Sequence, residues 1–471
     1  MTSAASTASS ALEVSARMDR LPRSRYLAIT SIRIALGSWF EFYELFIAGY
    51  ISLGLINSGL FTKKSTGYFD WHGYAAFSGC FFAGMFVSTV LFSRIPDRYG
   101  RKSTFTVSML FYSAAAVLVA FAPTSGWVDL WRFFAGFGIG IQLINNDSYI
   151  SEMAPKHSRG RYLALGFIVI LTSIPVVALL AWALVPHTPL GLDGWRWVML
   201  IGATGGIVVW LLRRGLPESP RWLASRGRVA EAEQVVDGIE RRVVAETGRD
   251  LPAPTAADLA AADLAAPQER GSWREVFGRQ YGGRTLMLSV FQFAQTIGVF
   301  GFTNWIAILL ADRGYTVVTT LGYTFLIACF TPVGGVVAWQ LAERFERKWQ
   351  LVAAAAGMGI FGMAFAYAHV TALLLVCAVL ITVCDNWLIG IFHTYGSELF
   401  PTRIRARGFG FTFSWSRISS IFVSYWVADL LAAHGTVGVF TLICGAMAVI
   451  VLCVGIWGPT TNGRRLEELS P

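Results

Sequence analysis

Asp97-Arg98-Tyr99-Gly100-Arg101-Lys102 follows the second long apolar run of the chain. It returns in altered form as Glu343-Arg344-Phe345-Glu346-Arg347-Lys348, 246 positions later (343 minus 97). A second pattern keeps the same offset. Ser151-Glu152-x-x-Pro155-x-x-x-Arg159 and Ser397-Glu398-x-x-Pro401-x-x-x-Arg405 also lie 246 apart (398 minus 152). Two independent motifs sharing one offset imply two structural copies of one unit. Repeated helical halves around a midplane site are an architecture of secondary transporters.

The composition says what surrounds those halves. Of 471 residues, 55% are hydrophobic and only 14% charged. A soluble domain carries about 25% charged residues. The mean hydropathy of +0.54 agrees. A disordered chain, a coiled coil and an ordinary soluble enzyme are excluded, and the apolar surplus is expected to face a lipid bilayer. The net charge of +9 falls in short loops between apolar runs, without the aromatic interleaving of a nucleic-acid surface. Topology explains it better. Six cysteines (Cys80, Cys329, Cys377, Cys384, Cys444 and Cys453) lie inside apolar runs with no CxxC pair, and read as small buried hydrophobes. Residues 1–24 lack the apolar core of a signal peptide.

A span needs about 20 mainly apolar residues. Twelve are read, at 27–52, 73–95, 103–123, 128–150, 162–186, 195–213, 285–311, 317–341, 350–368, 371–395, 406–431 and 435–457. Continuous runs of this length satisfy their backbone in lipid as helices, so the fold class is all-α membrane protein with two six-helix pseudo-repeats. Arg and Lys cluster before span 1 and after spans 2, 4, 8 and 10, which places both termini in the cytoplasm. The expected divisions are an N-terminal tail (1–26), a first bundle (27–213), a cytoplasmic segment (214–284), a second bundle (285–457) and a tail (458–471). Within 214–284, Val229, Ala232, Val236, Ile239 and Val243 recur at helical spacing, whereas Pro252–Pro267 reads as a linker.

These residues also carry a family likeness. Arg94-Ile95-Pro96-Asp97-Arg98-Tyr99-Gly100-Arg101-Lys102 resembles the loop 2–3 signature of the major facilitator superfamily, with Ser93 in place of its usual first Gly. Arg132-x-x-x-Gly136-x-Gly138-x-Gly140 resembles that family's span 4 motif. Pro217-Glu218-Ser219-Pro220-Arg221-Trp222-Leu223 resembles the sugar-porter signature after span 6, shared by metabolite–proton symporters. The resemblance covers nearly the whole chain. It implies that spans 1, 4, 7 and 10 line a central cavity. It also implies that Asp97, Arg98, Arg101, Glu152, Arg159, Glu398 and Arg405 form salt bridges between the halves and act as a gate.

A charge at membrane depth is costly and marks a candidate functional site. Span 1 holds Arg33, Glu41 and Glu44; span 4 holds Arg132, Asn145, Asn146 and Asp147. Span 7 holds Gln292, Gln295 and Asn304-Trp305; span 10 holds Asp385, Asn386 and His393; span 11 adds Arg417. At about 1.5 Å per residue, Glu44 lies roughly 26 Å from the cytoplasmic side and Arg132 roughly 6 Å from the outer end. In a core near 30 Å thick they share a height. Proton-coupled sugar porters resemble this, with a carboxylate on span 1 and an Arg on span 4. Glu44 best matches that carboxylate, and Glu41, one turn earlier, is the second candidate. A static ion pair is the alternative.

Gln292, Gln295, Asn304, Trp305, Asp385, Asn386, Arg417, Asn145 and Asp147 are the candidate substrate contacts. Interhelical hydrogen bonding is the competing reading for the amides and Asp385. Arg417 either anchors a substrate carboxylate or pairs with Asp385. Arg33 and Asp147 either form an inner gate or sit at the interface. His393 reads as structural. No phosphate loop, metal-ligand cluster or catalytic set is present in the sequence, so neither enzyme activity nor a cofactor is expected. The expected partners are a small-molecule substrate, protons and the inner-membrane bilayer, with no nucleic acid and a monomer as the working unit. The expected function is proton-coupled import of a small organic acid by alternating access, since Gly301-Phe302-Thr303-Asn304-Trp305 resembles span 7 of organic-acid symporters. A sugar or polyol symporter is the runner-up, then a non-transporting sensor or scaffold.

Overall fold

The computed structural model describes residues 12–63, 70–92, 95–248, 250–251, 253–255, 259, 272–341 and 344–462; the side chains at 96, 97, 143–147, 213, 397, 402 and 406 are outside that description. Most of the Pro252–Pro267 stretch lies outside the described residues. Ten helices are long and apolar enough to cross a bilayer among the described residues. Two further facts bring the traverses to twelve. The helix Thr402–Trp457 is 56 residues long, about 84 Å at 1.5 Å per residue, and breaks at Gly435, whose φ of 63° favours a residue without Cβ. It is therefore two spans. The helix Ser125–Met153 is span 4, less apolar because it carries the polar set.

The remaining spans are Arg25–Asn57 (1), Tyr74–Phe92 (2), Arg101–Phe121 (3), 159–184 (5), 194–213 (6), 282–312 (7), 317–341 (8), Arg347–Tyr367 (9) and Thr371–Glu398 (10). Spans 5 and 8 are interrupted before Ser173 and Thr331. Pro175 and Pro332 explain this, because each removes the N–H that would close the preceding turn. Span 7 breaks at Asn304-Trp305. An even number of traverses puts both chain ends and the central segment on one side, here called the terminal side; the other is the distal side.

Spans 2 and 4 approach backbone to backbone. A Cβ on Gly84 would overlap the Phe133 carbonyl, one on Gly136 the Phe81 carbonyl, and one on Gly140 the Ser88 hydroxyl. The glycines of the span 4 motif therefore let two helices meet, and they seat Arg132 against span 2.

On the terminal side the segment before span 1 carries a helix of its own. Residues 12–19 are helical, and Val14, Met18 and Leu21 are buried with Ala232, Val236, Ile239 and Val243 of the helix Val229–Thr247. Arg17 pairs with Asp237 (2.5 Å) and Glu240 (2.6 Å), and Arg20 with Glu240 (2.7 Å). The amphipathic stripe read from the sequence is thus covered by the N-terminal segment.

Candidate functional site

Glu44 and Arg132 meet. Both are 0% exposed. Arg132 Nη1 donates to Glu44 Oε1, and Nη2 donates to the Glu44 backbone carbonyl at 3.0 Å. The rings of Phe77 and Phe81 flank the guanidinium, with centroids 4.7 and 4.2 Å from Cζ. A cation held over aromatic faces and against a carboxylate offsets part of its desolvation cost. Glu41 is also fully buried but turns to a different partner. With its amide nitrogen toward Glu41, the Gln142 side chain donates to Glu41 Oε1 and accepts from Met109 N (2.6 Å) and Ser108 Oγ (2.8 Å). The two acids on span 1 therefore contact different groups of span 4.

A small cavity, of about 20 Å³ for the centres of water-sized molecules, lies between the halves at mid-depth. Asp385, Asn386 and Thr382 of span 10 line it, with Thr324 and Thr331 of span 8 and the rings of Phe46, Tyr50 and Phe302. Asp385 Oδ1 is buried without a hydrogen-bond partner, while Asn386 Nδ2 donates back to the Thr382 carbonyl (2.9 Å). Arg417 lies on span 11, about 22 Å from that helix's terminal-side end, and Asp385 about 20 Å from its own. They share a depth, yet no ion pair joins them among the described residues. Arg417 is 7% exposed, and its guanidinium stands 4.9 Å from the Phe413 ring centroid. Gln292 and Gln295 are buried with Gln292 Nε2 and Gln295 Oε1 unpartnered, and neither lines the cavity.

Asn304 and Trp305 sit elsewhere, at the distal junction of the halves. Asn304 Nδ2 donates to Ser78 Oγ of span 2 (3.1 Å). The Tyr74 hydroxyl is shared between the carbonyls of Ala48 (2.8 Å) and Asn304 (3.0 Å). Trp305 packs edge-on against Tyr74, and Gly49 lets span 1 lie on the Thr303 carbonyl. Trp182 of span 5 stacks on Phe325 of span 8. The distal side is closed by these contacts.

The terminal side is different. Arg101 pairs with Glu152 (3.1 Å), and Arg347 pairs with Glu398 (3.1 Å). Each partner is displaced by the same 246 positions (347 minus 101; 398 minus 152), so the second pair repeats the first. Both join elements of one half. Neither of these two pairs joins one half to the other. Glu218 takes a place in the first cluster by accepting from the backbone N–H of Arg101 (3.2 Å) and Lys102 (3.1 Å), where a carboxylate suits a helix N-terminus. Arg405 Nε donates to the Phe400 carbonyl (3.2 Å). Arg98 lies beside the Tyr99 ring, and neither it nor Arg159 makes an ion pair among the described residues. The side chains of Asp97, Asn145 and Asp147 lie outside the described residues. Arg33 is exposed.

Sequence reasoning missed Phe46, Tyr50 and the threonines of the cavity, because aromatic and hydroxyl residues are equally common in packed spans. The Pro332 break beside Thr331 was the available signal.

A family model described as "Sugar (and other) transporter" matches residues 30–471. The chain belongs to this transporter family. It is similar to the putative metabolite transport protein YyaJ of Bacillus subtilis (29% identity, 96% of each chain) and to the niacin transporter NiaP of Acinetobacter baylyi (28%, 97% of this chain and all of the relative). The inward-open xylose transporter XylE from E. coli has the same fold, with a TM-score of 0.73, 19% identity and coverage of 94% of this chain and 99% of that one. The fold is the twelve-helix major facilitator fold, and membership of the family makes the chain a multi-pass membrane transporter of small molecules and not an enzyme.

Proposed function

We propose that this transporter is a proton-coupled symporter that imports a small organic acid by alternating access. The observation that carries the substrate class is Arg417: a buried guanidinium at mid-depth with no carboxylate beside it among the described residues. An uncompensated buried charge is expensive, and a substrate carboxylate held by the planar fork would supply the missing partner. NiaP, at 28% identity, is named for niacin, which is a carboxylate. For coupling, the Glu44–Arg132 pair supplies the switch: protonation neutralises Glu44 and weakens its hold on Arg132. The driving force is adequate, about 2.3 kcal/mol per charge per 100 mV of membrane potential.

The Lys and Arg distribution favours a cytoplasmic terminal side in the inner membrane, which makes this conformation inward-facing. The two bundles act as rocking halves of one monomer. The matched Arg101–Glu152 and Arg347–Glu398 clusters brace each half, and with Arg98, Arg159 and Arg405 they meet across the terminal side when that side closes. A polyol is the second reading. Its support is the cavity, where Thr324, Thr331, Thr382 and Asp385 offer hydroxyl-binding groups. Uptake of labelled nicotinate, benzoate, xylose and mannitol into proteoliposomes separates the two, with and without an inward proton gradient. Gradient-driven accumulation of a carboxylate supports the first reading; accumulation of xylose or mannitol alone supports the second; accumulation independent of the gradient removes proton coupling.

A further inference from the structure

Span 8 is broken where it faces Asp385 of span 10. One helix, Val317–Ala328, ends and the next, Thr331–Leu341, begins. Pro332 has no N–H to return to the Ala328 carbonyl four residues earlier, so the break leaves that carbonyl without its helical donor. Just past the break, Gly334 brings span 8 onto span 10, since a Cβ there would lie 2.6 Å from both the Val383 carbonyl and Asn386 Cβ. Thr324, Ala328 and Thr331 of span 8 and Thr382, Asp385 and Asn386 of span 10 line one cavity. What they present to it is oxygen lone pairs. Thr324 Oγ1 donates its proton to the Leu321 carbonyl (2.9 Å), Thr382 Oγ1 to the Ala378 carbonyl (3.0 Å), and Asn386 Nδ2 donates to the Thr382 carbonyl (2.9 Å). Asp385 is 5% exposed, and its Oδ1 has no hydrogen-bond partner. No Lys, Arg or His lines the cavity, and no charged group faces Asp385 among the described residues.

A buried carboxylate among acceptors lacks the positive partner that its burial requires. Carbonyls freed where a transmembrane helix breaks are suited to holding small cations. We propose that this cavity is a sodium site, formed by the Asp385 carboxylate with the hydroxyl oxygens of Thr324, Thr331 and Thr382, the Asn386 amide oxygen and the Ala328 carbonyl. All are hard oxygen ligands, the donor type that alkali and alkaline-earth ions take. Charge and size select among those ions. One carboxylate among neutral oxygens balances one positive charge, and a divalent ion would leave a net charge buried. The room for centres of water-sized molecules is about 20 Å³; one water needs about 10–15 Å³ on the same measure. That is space for one small ion. The ligands all belong to the second half, whereas the rings of Phe46 and Tyr50 of the first half lie across the cavity from them. Movement of one half against the other uncovers the ion, so its affinity differs between the two facing states and its binding shifts the balance between them. The inference depends neither on the substrate class nor on Glu44.

The full-length protein in detergent tests this without a substrate or a proton gradient. At fixed pH and ionic strength, choline chloride is replaced stepwise by sodium chloride or potassium chloride. An ion that binds only the folded chain stabilises it. The expected result is an unfolding midpoint that rises saturably with sodium and far less with potassium, and equilibrium dialysis against radioactive sodium is expected to find one ion per chain. Asp385→Asn is expected to abolish both signals. Thr382→Val keeps the shape and the carboxylate but removes one ligand oxygen, and is expected to weaken the apparent sodium affinity about tenfold. Glu240→Gln, in the terminal-side clasp, is expected to keep the full sodium response. If Asp385→Asn does not fold, Thr382→Val decides. Equal midpoints in sodium and choline, equal responses to sodium and potassium, or a sodium response retained in Asp385→Asn each overturn the assignment. Those results leave proton coupling untouched, because Glu44 is tested separately by gradient-driven accumulation in proteoliposomes.

Discussion

A buried carboxylate and a buried guanidinium at one height can be a brace or a switch, and the difference is measurable at single residues. Glu44→Gln keeps the shape and removes the titration. The expected outcome is substrate exchange near the wild-type rate with gradient-driven accumulation lost, read in proteoliposomes with and without a pH difference; full accumulation would refute the coupling role. Arg417 is tested by geometry rather than charge. Lysine keeps the charge but not the planar fork. Arg417→Lys is expected to raise the KM for a carboxylate substrate by about tenfold, the equivalent of about 1.4 kcal/mol, and an unchanged KM would show that the fork does not grip the substrate. Glu44, Arg132, Asp385 and Arg417 were legible in the sequence because an ionisable group in an apolar run stands out. Phe46 and Tyr50 were not, since only their position beside the cavity separates them from the many core aromatics. Asn304 and Trp305 were legible as unusual but not as a junction, because their partners Tyr74 and Ser78 lie on another half.

Helix registration depends on where backbones can touch. Gly136 faces the Phe81 carbonyl and Gly126 faces open space, so the same change has opposite consequences a few turns apart on one helix. Gly136→Ala is expected to cost about 1–3 kcal/mol by overpacking, and Gly126→Ala to be neutral or slightly stabilising; unfolding midpoints compare them. The terminal-side clasp has a pH signature. Burial pushes the Glu240 carboxyl up, but Arg17 and Arg20 outweigh it and hold the group below the ordinary carboxylate value. A depressed folded value means the contribution is present above the unfolded value near 4.3 and lost as pH falls through the lowered one. Glu240→Gln is expected to flatten the acid limb of the unfolding profile, and an unchanged limb would assign it to other groups. The twelve spans followed from hydropathy within a few residues. The break at Gly435 falls where span 12 was read to begin, as a kink within one helix; the helix at 12–19 was not read, because its order comes from its partner helix.

The two halves are held apart and together at opposite ends, and the balance between those ends sets the direction a transporter faces. Here the distal contacts cross between halves, through Tyr74, Ser78, Asn304 and the Trp182–Phe325 stack. The terminal-side ion pairs stay within a half among the described residues. Repetition at one offset was legible from the sequence, since Arg347–Glu398 copies Arg101–Glu152; which surfaces those charges face was not, because spacing within a half is the same in every conformation. A conformational equilibrium shifts only by the free energy that distinguishes its states. Tyr74→Phe removes a hydroxyl that reaches the Asn304 carbonyl of span 7 only while the distal side is closed. A hydrogen bond of about 1 kcal/mol corresponds to about a fivefold change in population. In a cysteine-free background carrying Ser78→Cys, itself one of the closure contacts, adding Tyr74→Phe is expected to speed labelling by a membrane-impermeant thiol reagent from the distal side by about that factor. Adding Gly126→Ala, which touches neither half's junction, is expected to leave the rate alone. Equal rates with Tyr74 and Phe at that position would mean that packing of the apolar and aromatic surfaces, rather than the hydroxyl, closes the distal side.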